Sequence, residues 1–69
     1  MNFLLIMQVC SAMQMSCMDR MEVGMYKTHF DCATAGYLNA IGLTREVGQT
    51  AVDRDRITVK FECKPVSST

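Results

Sequence analysis

The chain has no tryptophan, one proline (Pro65), one histidine (His29) and only 7% aromatic residues. A single histidine is thin material for acid–base or nucleophilic catalysis. No Gly-rich phosphate loop, paired-carboxylate arrangement or close Cys-x-x-Cys pair is present. Seven basic residues balance seven acidic ones, and neither sign forms a run. Nucleic-acid binding needs clustered Lys/Arg to displace counterions, so that class of partner is excluded. No apolar stretch approaches the roughly 20 residues of a membrane-spanning helix.

What is present is an apolar fraction of 49% in 69 residues. That suffices for one small domain with a thin core. Ordering the chain costs roughly 1.5 kcal/mol per residue, which burial in so small a domain only about cancels. A crosslink, a metal or a partner must therefore add stability, and four cysteines are the obvious source.

Residues 3–10, FLLIMQVC, are short and apolar on both faces, the mark of a buried strand. Phe3, Leu5, Met7 and Val9 form the purely apolar face. Leu4, Ile6, Gln8 and Cys10 form the other. The alternative of a signal peptide is weakened by the missing positive n-region. Residues 11–27 have no clear period and read as a long loop holding Met13, Met15, Met18, Met21 and Met25. A short strand near Glu22–Tyr26 is the alternative there.

Thr28 opens the strongest element. Thr28-x-x-Asp31 resembles a capping box with Asp in place of Glu. Phe30, Ala33, Tyr37, Ala40, Ile41, Thr44, Val47, Gly48, Ala51 and Val52 then recur at three- and four-residue steps, predicting one amphipathic helix over 28–54. Gly48 lies on that stripe, where a missing side chain admits a neighbouring backbone. A break at Gly42, with Thr44 capping a second helix, is the alternative. Residues 57–64 alternate: Ile57, Val59, Phe61 and Cys63 against Thr58, Lys60, Glu62 and Lys64. This predicts a half-buried strand with one wet face. Pro65 ends it, and 65–69 form a tail.

Strand, helix and strand predict an α/β fold: a small βαβ unit with a two-stranded parallel sheet on one long helix. That geometry gathers Cys10, Cys32 and Cys63 at one end, with Cys17 above them. A two-stranded sheet is marginal in water. Self-association through Leu4 and Ile6 as a homodimer is one way to complete it.

The stretches FLLIMQVCSA, DCATAGY, VGQTAV and ITVKFECKP, with Cys17 after the first, resemble small four-cysteine proteins of marine bacteriophages and viral metagenomes. The resemblance spans about residues 3 to 65 and departs at MDRMEVGMYK (18–27), which lacks the prolines and tryptophan of those loops. It implies a viral accessory protein and no particular activity.

The wide cysteine spacing favours two disulfides over a closed zinc site on Cys10, Cys17, Cys32 and Cys63, or over buried thiols. The pairing Cys17–Cys32 with Cys10–Cys63 suits the expected pole, although Cys10 falls on the outward face of its strand. Paired cysteines imply the periplasm, the virion or the exterior; free thiols imply host cytoplasm. His29 beside Cys32 at a helix start could activate a thiol, against which stands a bridged Cys32 and a solvated His29. Met13, Met15, Cys17 and Met18 offer soft ligands for Cu(I), but adaptable apolar cover explains them as well. No catalytic residue and no cofactor is assigned. The sequence favours a non-enzymatic accessory protein that binds a host or viral protein, with Leu4, Ile6, Met13, Met15 and Met18 as the surface. The alternatives are a small thiol or metal protein, and a secreted module whose crosslinks are purely structural.

Overall fold

The computed structural model describes residues 1–67. The elements are β1 (Asn2–Ser11), β2 (Ser16–Cys17), β3 (Met21–Tyr26), α1 (His29–Val47), α2 (Gln49–Asp55) and β4 (Ile57–Val66). β1 is the central strand. β2 and β3 pair along one side of it and β4 along the other, and every pairing is antiparallel.

This corrects the two-stranded parallel sheet. The 11–27 segment is not a loop: it turns at 12–15 and returns along β1 as β2 and β3. The chain therefore reverses once before the helix, so β4 meets β1 antiparallel instead of parallel. β3 and β4 run in the same direction with β1 between them, and the helices make the crossover that parallel neighbours require. The short strand that stood as the alternative near Glu22–Tyr26 is the one that forms, over Met21–Tyr26, and it carries a β-bulge. Gly24 pairs Leu5 and Glu22 pairs Ile6, leaving Val23 as the extra residue that breaks the alternation.

The predicted inner face of β1 faces the helix. Leu5 and Met7 are fully buried, with Cys32 between helix and sheet, and Phe3, Tyr26, Ala35, Ala40, Leu43, Val59, Phe61 and Cys63 pack around them. Leu5 opposes Cys63, Met7 opposes Phe61 and Val9 opposes Val59, so the apolar faces of β1 and β4 coincide. Only two layers exist, which is why three residues make up the fully buried centre.

Thr28 caps α1, its hydroxyl accepting from the Asp31 N–H at 3.0 Å. The single long helix is corrected to two. The break falls at Gly48, whose φ of 92° and ψ of 153° suit glycine almost alone. No neighbour lies within 4 Å of a Cβ built there, so Gly48 serves backbone freedom and not close approach. Gly42 continues the helix without a break.

The rotation of α1 also differs from expectation. Cys32, Ala35, Gly36, Ala40 and Leu43 lie toward the sheet, whereas Phe30, Tyr37, Ile41 and Val47 of the predicted stripe are exposed. The helix is turned by roughly a third of a revolution. Two constraints set it. Cys32 is bonded to Cys63 on β4. One turn later, the Phe61 ring fills the space a Cβ on Gly36 would take. Small residues bring the helix close to the sheet, and the bulky ones are left outside.

Pro65 lies within β4, opposite Phe3. As an edge-strand residue it can forgo its missing donor. Of the tail expected over 65–69, residues 68 and 69 lie outside the described residues.

Candidate functional site

The disulfides are Cys10–Cys17 and Cys32–Cys63, with sequence separations of 7 and 31. The expected Cys17–Cys32 and Cys10–Cys63 pairing is overturned, and so is the common pole. In register, Cys10 opposes Thr58 while Cys63 opposes Leu5. Five strand positions separate them, or about 17 Å at roughly 3.4 Å each. Parity agrees: Cys10 is on the sheet face away from the helix and Cys63 on the face toward it. Cys10 instead meets Cys17 directly across the hairpin.

Paired sulfurs bear on the alternative chemistries. No cysteine is free, so the four-thiolate zinc site does not form. Cys32 is fully buried as well as bridged and leaves His29 no thiol to activate; the imidazole instead packs edge-on to Phe3 at 5.5 Å. Cys17 has no thiolate to offer copper beside Met13, Met15 and Met18. Among the described residues, no group of three or more His, Cys, Asp or Glu is placed to hold a metal. Among them also, no helix is long and apolar enough to cross a membrane.

The partner-surface residues divide into two sets. Leu4 and Ile6 are half-buried on the open sheet face. Met25 and Glu22 flank them on one side and Lys64 and Glu62 on the other. An Arg20–Glu62 ion pair reaches from one side of β1 to the other, and a shallow hollow opens between Ile6, Gln8, Arg20, Lys60 and Glu62. The stems of such long side chains cover apolar surface while their heads stay in water. Gln8 ties this side to the hairpin through a 3.1 Å bond to the Met18 carbonyl.

Met13, Met15 and Met18 are exposed, Met15 by 91%. They sit on a hairpin held in place at several points. Met15 adopts a left-handed φ of 53° in the turn. The Ala12 N–H donates to the Arg56 carbonyl (3.2 Å), and Met13 N–H and the Ser11 hydroxyl both donate to the Asp55 carbonyl (3.3 and 2.8 Å). Arg56 is itself left-handed, closing α2 and turning the chain into β4. Next to it, Arg54 donates to Asp55 at 3.0 and 3.3 Å, and this hydrogen bond, then the opposite charge, raises the arginine pKa above its ordinary value. The hairpin tip and the α2–β4 turn thus brace each other.

A third apolar surface was not singled out from the sequence. Phe30, Tyr37, Leu38 and Ile41 are exposed on the side of α1 away from the sheet. Only Tyr37 reaches back, meeting the Phe61 ring edge-on at 4.8 Å. The available signal was the set of small residues Cys32, Ala35, Gly36 and Ala40, which marks a close-packed side and leaves the opposite side free.

No protein-family model, curated protein or solved structure matches this chain.

Proposed function

We propose that the chain is a non-enzymatic, disulfide-stapled binding module that grips another protein through its methionine-rich hairpin. In this reading it acts as an accessory protein of the phage class its sequence resembles. One observation carries the proposal. Met13, Met15 and Met18 stand exposed on an arm closed by Cys10–Cys17 and hydrogen-bonded to the α2–β4 turn. Exposed apolar side chains in a contiguous group mark contact sites. Methionine, unbranched and polarisable, moulds to irregular apolar partners. The braced backbone limits the ordering cost of binding.

Contact runs through side chains and not through strand addition. The β3 edge is interrupted by a bulge and a short gap, and β4 carries Lys60, Lys64 and Pro65. Such features blunt strand pairing. Two disulfides fit an oxidising compartment. The periplasm, the virion or the exterior is the proposed place of action.

The test replaces Met15 with a photo-crosslinking residue and exposes the oxidised protein to infected-host extract. A defined protein should be captured saturably and competed by the unlabelled wild-type chain. A Met13→Glu/Met15→Glu/Met18→Glu competitor should be at least tenfold weaker. Equal competition by the two chains, or no saturable capture, would refute the assignment.

A further inference from the structure

The outward side of α1 carries a heptad pattern of its own. Phe30, Thr34, Tyr37, Ile41 and Thr44 follow one another at alternating steps of four and three residues, the spacing of a two-helix seam. They lie opposite Cys32, Gly36 and Leu43, which face the sheet. Asp31, Leu38 and Arg45 flank the seam at intervals of one heptad. Exposure is 77% for Phe30, 66% for Tyr37, 67% for Leu38 and 54% for Ile41. The polar seam residues bring no unmet donor with them. The hydroxyls of Thr34 and Thr44 already donate to the carbonyls of Phe30 and Ala40, at 2.9 and 2.8 Å.

We infer that this face joins two copies of the chain as an antiparallel, two-fold symmetric dimer. In an antiparallel pair each inner seam position meets the other kind of seam position on the facing helix. Thr34 then meets the partner's Thr44 and Tyr37 meets the partner's Ile41, while Phe30 falls at the end of the partner's helix, where Gly48 breaks it. Leu38 meets the partner's Leu38 beside the two-fold axis. Asp31 meets the partner's Arg45, and symmetry makes that ion pair twice. A parallel pair stacks Phe30 on Phe30 and offers neither ion pair, since Asp31 and the partner's Arg45 then lie about two heptads apart along the seam.

Size agrees with a second copy as occupant. Two large aromatic and two aliphatic side chains present on the order of 500 Å². Joining two such faces covers about 1,000 Å², the lower limit of a specific protein interface. The dimer is accordingly reversible, with a dissociation constant on the order of micromolar. It also gives this two-layer fold the outer cover that its helix lacks. The surface is separate from the methionine hairpin, so each can fail without the other.

Sedimentation equilibrium of the oxidised full chain, from about 5 µM to about 1 mM, tests the inference. Wild type should show a monomer–dimer equilibrium. Leu38→Glu sets two carboxylates at the axis and should leave monomer throughout. Asp31→Arg and Arg45→Asp should each weaken association about tenfold by creating like-charge contacts. The double variant Asp31→Arg/Arg45→Asp should recover most of that loss. Intact mass and far-UV circular dichroism check that each variant is oxidised and folded. A wild type still monomeric at about 1 mM overturns the inference. A dimer indifferent to Leu38→Glu overturns it too. Failure of the double variant to recover overturns the antiparallel pairing.

Discussion

Two chemically identical substitutions on the same helix should have opposite effects. Gly→Ala inside a helix gains about 1 kcal/mol from propensity alone. At Gly42 a Cβ meets nothing within 4 Å, so Gly42→Ala should be more stable by about that amount. At Gly36 the propensity gain is unchanged, but the new methyl overlaps the Phe61 ring. Phe61 belongs to the shell around Leu5, Met7 and Cys32 and packs edge-on to Tyr37. Displacing it costs roughly 1–3 kcal/mol of overpacking and about 1 kcal/mol of aromatic contact. Gly36→Ala should therefore come out destabilised by about 1–3 kcal/mol, a gap of roughly 2–4 kcal/mol between the two variants. In a domain this small, 1 kcal/mol moves Tm by about 4–8 °C, so the gap is well above error. Urea and thermal unfolding of the oxidised protein at low concentration, where association does not contribute, give both values. Phe61→Leu should relieve much of the Gly36→Ala penalty in a double-mutant cycle. Equal stability of the two alanine variants would refute the close approach of helix and sheet, and with it the rotation of α1 described above.

Non-reducing peptide mapping should recover 10–17 and 32–63 linkages, and removing the second should be worse. The chain-entropy relation assigns about 3.7 kcal/mol to the 31-residue span and about 2.4 kcal/mol to the 7-residue one. Cys32→Ala/Cys63→Ala also disturbs the buried centre, so a smaller loss than for Cys10→Ala/Cys17→Ala in denaturant unfolding would contradict the assignment. Gly48→Ala should cost about 1–3 kcal/mol in the same assay, because its backbone conformation is one that side chains disfavour. Dilute peroxide followed by peptide mass spectrometry should oxidise Met15 early and Met7 last, since one is exposed and the other buried. Rapid sulfoxide formation at Met7 would mean that the sheet is not covered by α1.

Some of this architecture follows from local chemistry. The alternation of Phe3, Leu5, Met7 and Val9, and of Ile57, Val59, Phe61 and Cys63, sorts each strand into an inner and an outer face without reference to any partner. Thr28 caps a helix because its hydroxyl meets an N–H three residues on, a contact written within four residues. That the cysteines would be crosslinked followed from chain length and spacing. Which apolar side chains stay exposed was legible only in part. Exposure of Met13, Met15 and Met18 accords with their irregular setting, whereas Phe30, Tyr37 and Ile41, on the expected inner stripe of the helix, are exposed.

Local chemistry therefore dictates the faces of the first and last strands, the start of the helix and the need for staples. Strand direction, cysteine partners and helix rotation were decided only by tertiary structure, and all three turn on long-range contacts. A bulge at Val23 blurs the alternation of β3, leaving it only an alternative to a loop, and one added strand reverses the sense of every element after it. The reversal moved Cys63 away from Cys10 and brought it over Cys32. Helix rotation was then set by that bond and by a ring filling the space above Gly36. Apolar periodicity shows how many faces a helix has, but only the shape of the surface beneath it selects which one turns inward.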